Sequence, residues 1–129
     1  MKDIETRADI ENLMRAFYKR VFKDNVIGFI FTEVARMDLE HHLPIITDFW
    51  ENVLFNTGTY KRNAMEPHFI LNRQVQFQPE HFERWLFLFC GTVNEHFYGP
   101  LAELACSRAK SIAVIMQMKL TQINKGTPG

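Results

Sequence analysis

Apolar residues recur at helical spacing in several separate stretches of the chain. The first stretch runs from about Asp9 to Lys23, with Thr6 or Asp9 able to cap its start. Its apolar stripe consists of Ile10, Leu13, Met14, Phe17 and Val21. Asp24-Asn25 ends this helix, and the short apolar segment Val26 to Val34, interrupted by Gly28, predicts one or two tight turns.

A second helix is predicted after Asp38, which can act as its N-cap. Its apolar stripe contains Leu39, His42, Leu43, Ile46, Phe49, Trp50, Val53 and Leu54. Pro44 interrupts this pattern, because a proline inside a helix removes one backbone hydrogen bond and costs about 3 kcal/mol. We therefore expect irregular or 3₁₀ geometry from Asp38 to about Leu43. Asn56-Thr57-Gly58 ends the helix.

The second half of the chain contains two further long helices. Residues 59–78 are expected to be mostly loop, with one short helical turn around Pro67 to Leu71. A third helix is predicted from about Pro79 to Tyr98, since Gln78-Pro79-Glu80 is typical of a helix start. A fourth runs from about Pro100 to Ile123, and Asn124 to Gly129 is expected to be a frayed tail. No segment is typical of a strand. The pattern predicts an all-α fold of four main helices with short connectors, in one domain spanning residues 1–129.

Composition narrows the possible classes of protein. The chain has 129 residues, 47% of them hydrophobic, and a formal net charge of zero. Without a basic run, no binding to nucleic acid or to an anionic membrane is expected. The sequence has no long uninterrupted apolar stretch and no signal-peptide pattern, so a cytoplasmic protein is expected. Cys90 and Cys106 lie within helical patterns and are interpreted as reduced core thiols.

A few polar side chains stand out against this apolar background. His68 lies between two helical segments with apolar residues after it and no Cys or Asp close by, which suits a single protein ligand to a haem iron. Taken alone, such a residue is more often a surface or capping histidine. His42, Tyr18 and Trp85 could each be an ordinary core residue. The 12 phenylalanines suit either a helical core or the walls around a flat aromatic cofactor.

The order of these residues resembles the third group of truncated haemoglobins, small bacterial globins with a two-over-two helical sandwich. The resemblance covers about residues 8–120. The segments that carry it are Phe17-Tyr18-Lys19-Arg20-Val21, Gly28-Phe29-Ile30-Phe31, His42 with Phe49-Trp50, then Tyr60, Asn63, Met65 and His68, His81-Phe82-Glu83-Arg84-Trp85-Leu86 with Leu88-Phe89, and Arg108-Ala109 with Ile112-Ala113. The Gly-Gly motifs of the first two groups are absent, as expected for the third.

The resemblance implies a role for each candidate residue. His68 matches the proximal ligand of the haem iron, and Pro67 before it requires the helix to begin within a turn of this ligand. Tyr18 and Trp85 match the distal hydrogen-bond donors. Phe31 matches the residue that packs against the haem, and His42 matches the distal position that faces bound ligand, with Ile46 one turn later lining the same pocket. Tyr60, Arg73, Lys61 and Arg62 lie near enough in sequence to be candidates for binding the haem propionates, and the alternative is that they are solvated loop residues. No Cys-x-x-Cys-His occurs, so the cofactor is expected to be haem b rather than a covalently attached haem.

The implied function is binding of O₂, and of NO and CO, at the haem. Chemistry on reactive oxygen or nitrogen species is a further possibility. NO dioxygenation needs a reductase partner, because the chain has no Gly-rich nucleotide-binding motif. A peroxidase-like activity requires His42 to act as an acid–base group near the iron. The alternative is a haem-free helical module that serves as an interaction or sensor domain.

Overall fold

The computed structural model describes residues 1–58, 60 and 65–126, and all the regular secondary structure in these ranges is helical. Its helices are α1 (Arg7–Lys23), α2 (Leu39–Phe55), α3 (Met65–Gln74), α4 (Pro79–His96) and α5 (Pro100–Gly126), with a π-helical turn at Ile30–Val34 between α1 and α2. The predicted all-α class is confirmed. Within these ranges, no helix combines the length and apolar character needed to cross a membrane.

Helix α1 begins at a capping box. The Thr6 hydroxyl accepts the Asp9 backbone N–H at 3.2 Å, and the Asp9 carboxylate accepts the Thr6 N–H at 3.1 Å. The two bonds satisfy donors that the first helical turn leaves without intrahelical partners. The predicted start and end of this helix are therefore confirmed to within two residues, at the cap that the sequence indicated.

The turn after α1 brings two backbone segments close together at Gly28. A Cβ atom at this position would lie 3.0 Å from the carbonyl oxygen of Val21 and 3.1 Å from that of Phe22. Only glycine avoids this contact without a shift of the backbone. The tight turns predicted between Val26 and Val34 are confirmed.

Helix α2 corrects the prediction made from Pro44. The helix is regular from Leu39 onward and contains Pro44 in its second turn, without the expected 3₁₀ segment. Pro44 removes only the hydrogen bond to the carbonyl of Glu40, and both residues are exposed, so water can hydrate that carbonyl. The C-terminal end of α2 was predicted correctly. Asn56 adopts there the left-handed conformation (φ 56°) that terminates helices.

Two helices are longer than predicted. Helix α3 spans 10 residues, where a single turn was expected, and α5 continues to Gly126, three residues beyond the predicted end and into the expected tail. Polar residues at the C-terminal ends of α3 and α5, among them Asn72 and Asn124, break the apolar periodicity. The sequence pattern therefore did not reveal these extensions. The side chains of these two asparagines bond to each other at 2.8 Å.

The helices form two packed pairs. Helix α1 packs against α2, α4 packs against α5, and the pairs meet where α1 contacts α4 and α2 contacts α5. The shared core is made of apolar side chains from all four helices, including Phe17, Trp50, Phe89 and Ala105. This arrangement is the expected two-over-two sandwich. Helix α3 lies outside the two pairs and contacts α5.

One buried hydroxyl in the sandwich lacks a partner among the described residues. Thr47 in α2 is 1% exposed, and its Oγ1 has no hydrogen bond. Leaving a hydroxyl without a partner in an apolar interior costs roughly 1–3 kcal/mol. We therefore predict that Thr47→Val raises the free energy of unfolding by about 1 kcal/mol, as measured by chemical denaturation.

Thr92 provides the matched control. It is 0% exposed on α4, but its hydroxyl donates to the Leu88 carbonyl at 2.7 Å. Thr92→Val should therefore leave stability unchanged or lower it. Equal effects of the two substitutions would contradict the role assigned to the Thr47 hydroxyl.

Candidate functional site

A cavity of about 310 Å³ lies where the sandwich meets α3 and the turn after α1. Its volume is within the range of small-molecule and cofactor sites. All five helices, the π-helical turn and the segments flanking them contribute to its walls. The lining residues are Tyr18, Ile27, Ile30, Phe31, Met37, His42, Ile45, Ile46, Phe49, Trp50, Tyr60, Pro67, His68, Phe77, His81, Phe82, Trp85, Ile112, Ala113 and Met116.

Stacked aromatic rings support one wall of the cavity. Phe89 lies between two indoles, with its centroid 4.7 Å from that of Trp50 and 5.5 Å from that of Trp85, at interplanar angles of 20° and 11°. The Phe17 ring meets Phe89 edge-on at 5.3 Å. Such offset and edge contacts are favourable beyond the area they bury. They connect α1, α2 and α4 and hold Trp85 in place at the cavity.

Two hydrogen-bond donors face this apolar space. Tyr18 is 9% exposed, and its ring packs against Phe17 at 4.9 Å and Phe31 at 6.0 Å. Neither the Tyr18 hydroxyl nor the Trp85 indole N–H forms a hydrogen bond with another described residue, yet both residues line the cavity. Burial raises the pKa of Tyr18, so its hydroxyl stays protonated and able to donate.

His68 reaches the cavity from the first turn of α3. The helix begins at Met65, so Pro67 occupies a first-turn position whose missing N–H costs no intrahelical bond. This confirms the prediction that the helix starts within a turn of His68. The histidine is half-buried and lines the same cavity as Tyr18 and Trp85.

The structure brings most of the predicted site residues together. Phe31, His42, Ile46 and Tyr60 line the cavity along with Tyr18, His68 and Trp85. His42 does so with an exposed side chain, and its ring lies 5.5 Å from that of His41. Arg73 lies exposed in the last turn of α3, outside the lining, and its contact with a propionate stays a prediction. Lys61, Arg62 and Asn63 fall outside the described residues.

His81 is a cavity residue that the sequence analysis did not single out as functional. Its Nδ1 accepts the backbone N–H of Gln78 at 2.9 Å, so the neutral ring carries its proton on Nε2. It precedes Trp85 by four residues on α4, which places both side chains on one face of the helix. That spacing was a signal available in the sequence. Phe77, which precedes α4, had no comparable signal.

An ion pair connects the turn after α1 to the helix that carries Trp85. Asp24 accepts the backbone N–H groups of Val26 and Ile27, each at 3.0 Å, and the Arg84 side chain at 2.7 Å. The Asp24 side chain is 3% exposed. Because Ile27 lines the cavity and Arg84 adjoins Trp85, the Asp24 carboxylate connects two walls of the cavity.

Cys90 and Cys106 are free thiols packed half-buried against the core, as predicted. Burial, together with the neighbouring Cys106 thiol, raises the pKa of Cys90 to about 12. A thiol with so high a pKa is a poor nucleophile at neutral pH. Both residues lie apart from the cavity lining.

The cavity suits a flat, apolar cofactor with a metal centre. Aromatic and aliphatic side chains cover its walls, and the polar groups facing it include an imidazole and two donors without a bonded acceptor among the described residues. One imidazole can bind a haem iron, and donors without partners can bind a ligand held there. A helical sandwich around such a cavity defines the globin class.

Comparison with known proteins identifies the family. No protein-family model matches the chain. A group 3 truncated hemoglobin from Campylobacter jejuni is 32% identical over 114 residues, which cover 86% of this chain and 87% of that protein. The crystal structure of a group III truncated hemoglobin from Campylobacter jejuni is similar with a TM-score of 0.80 and 31% identity, over 93% of this chain and 95% of that one. The chain belongs to the truncated haemoglobin family, in its third group.

The Asp24 carboxylate makes the stability of this site depend on pH. Burial opposes its ionisation, but the bonds from Arg84, Ile27 and Val26 outweigh burial and hold the pKa of Asp24 below its ordinary value of 3.8. A lowered folded-state pKa contributes stability above the unfolded-state pKa, and this is lost as the pH falls through the folded-state value. We predict that Asp24→Asn lowers the free energy of unfolding at pH 7 by about 1–3 kcal/mol.

As the pH falls from the ordinary pKa of 3.8 through the lower folded-state pKa of Asp24, the wild type should approach the variant in stability, because the carboxyl group then becomes protonated in the folded protein as well. Denaturant titrations across the acid range measure this convergence. Glu83→Gln, which removes an exposed carboxylate from α4, is the control and should change little. A constant difference between wild type and Asp24→Asn at all pH values would argue against the assignment.

Proposed function

We propose that the protein binds haem b in this cavity, with His68 as the protein ligand to the iron, and reversibly binds O₂ there, as well as NO and CO. The observation that carries the proposal is the meeting of His68, Tyr18 and Trp85, from three different helices, at one apolar cavity. Membership of the truncated haemoglobin family supports it. When bound, haem iron supplies the site for the diatomic gas.

Tyr18 and Trp85 act as hydrogen-bond donors to the gas. A ligand that gains negative charge on its outer atom accepts such bonds more strongly than a neutral one. Bonds of this kind are worth roughly 1.5–3 kcal/mol each, which corresponds to about a ten- to hundredfold slower release. The contacts of Tyr18 with Phe17 and Phe31 hold its hydroxyl at the cavity without an ordering cost on binding.

His42 and Ile46 complete the distal side in this proposal. They are four residues apart on α2 and both line the cavity. The exposed side chain of His42 places an imidazole between solvent and the cavity. Tyr60 and Arg73 are proposed partners of the haem propionates, since Tyr60 lines the cavity and Arg73 carries its charge nearby in sequence at the end of α3.

The ligand role of His68 is tested by absorption spectroscopy. The purified wild-type protein reconstituted with haem should show a strong Soret band, and His68→Ala should weaken or abolish it, because the iron loses its protein ligand. His96→Ala, on the exposed end of α4, is the control and should retain the band. A wild-type protein that stays colourless after haem addition would instead support the haem-free helical module.

The donor role of Tyr18 is tested by ligand kinetics. Tyr18→Phe removes the hydroxyl and keeps the ring that packs in the core, so O₂ dissociation should accelerate about ten- to hundredfold. Stopped-flow measurement of O₂ release checks this. Tyr98→Phe serves as the control because Tyr98 is 75% exposed and lies outside the cavity. An unchanged rate in Tyr18→Phe would exclude a hydrogen bond from this residue.

A further inference from the structure

The Asn72 side chain connects three separate segments of the chain. Its Nδ2 donates to Oδ1 of Asn124 near the end of α5 at 2.8 Å, and its Oδ1 accepts the backbone N–H of Phe77 at 3.0 Å. Asn72 is 7% exposed and lies in α3. The amide therefore holds α3, α5 and the segment before α4 together.

The direction of these bonds follows from their chemistry. A backbone N–H can only donate, so the group that faces Phe77 must be the Asn72 oxygen. The Asn72 NH₂ group then faces α5, and Asn124 must present its oxygen to it. Both polar atoms of a buried amide are thus satisfied, which makes this bridge costly to break.

The bridge lies close to the proposed iron ligand. Asn72 follows His68 by four residues, so the two side chains share one side of α3, one turn apart. With 10 residues, α3 is too short to be stable by itself, and its position depends on contacts with the rest of the protein. Helix α3 contacts α5, and the Asn72–Asn124 bond joins these same two helices.

The same amide also acts on another cavity wall. The Phe77 ring lines the cavity and meets the rings of His81 at 6.3 Å and Phe82 at 5.8 Å. By accepting the Phe77 N–H, Asn72 holds the segment that places this ring. Asn72 is therefore linked to His68 along α3 and to Phe77 by a hydrogen bond.

We propose that Asn72, bonded to Asn124, is a positioning residue that sets the placement of His68 at the cavity. This inference rests on the proposed function, in which His68 binds the iron. It assigns a role to the extension of α5 past Ile123: the added turn supplies Asn124, which fixes the helix carrying the ligand.

The test uses the haem-loaded protein with Asn72→Leu and Asn124→Ala. The controls are Gln74→Leu and Gln122→Ala, which change exposed residues on the same two helices. Resonance Raman of the ferrous protein reports the iron–histidine stretching band, which a change in overall stability alone does not move. Both bridge variants should shift or broaden this band and increase the rate of haem loss to an acceptor apoprotein about tenfold.

The double variant should behave like Asn72→Leu alone, since Asn72→Leu already removes the bond to Asn124. If Asn72→Leu does not fold, Asn124→Ala decides the question, because it leaves the Asn72–Phe77 bond in place. An iron–histidine band and a haem-loss rate that match the controls would overturn the proposal.

Failure of the proposed function gives a different result, because then neither wild type nor any variant binds haem. The bridge can still be measured by hydrogen exchange in the haem-free protein. Asn124→Ala should there accelerate exchange of the α3 amides about tenfold relative to Gln122→Ala. Exchange that is unchanged, or that accelerates equally in all helices, would count against a bridge specific to α3.

Discussion

The stack of Trp50, Phe89 and Trp85 is the contact on which the rest of the site depends. Its central ring is fully buried and touches both indoles, so it fixes the separation of α2 from α4. Phe17, from α1, meets the rings of Trp85 and Phe89 edge-on. Because packed interiors tolerate little change in volume, these rings set the width of the space beside them. Trp85 therefore packs against the core and also lines the cavity.

The two sides of the cavity are held by different forces. Tyr18 and Trp85 belong to the tightly packed sandwich, where aromatic contacts keep donors in place before any ligand arrives. His68 belongs to a short helix outside the two pairs, which the Asn72 amide ties to α5. The donor side of the cavity thus rests on ring contacts, and the side of the proposed iron ligand includes a buried amide bridge.

Errors in the sequence analysis arose where polar residues continue a helix. Pro44 suggested irregular geometry, but its position near an exposed helix start makes the lost bond inexpensive. The C-terminal ends of α3 and α5 carry polar residues, and there Asn72 and Asn124 bond to each other. Apolar periodicity detects burial against a core, so it misses helical turns that are stabilised by side-chain amides.

The amino-acid sequence was enough to predict the helical stripes, a cap at Thr6 or Asp9, the all-α class and, through the order of Tyr18, His68 and Trp85, the globin family. Each of these depends on local spacing or on residue order along the chain. It took the folded structure to place Phe77 at the cavity and to join Asn72 to Asn124 across 52 positions. Such contacts depend on how the helices pack, and no periodicity within one helix records which residue of another helix it will meet.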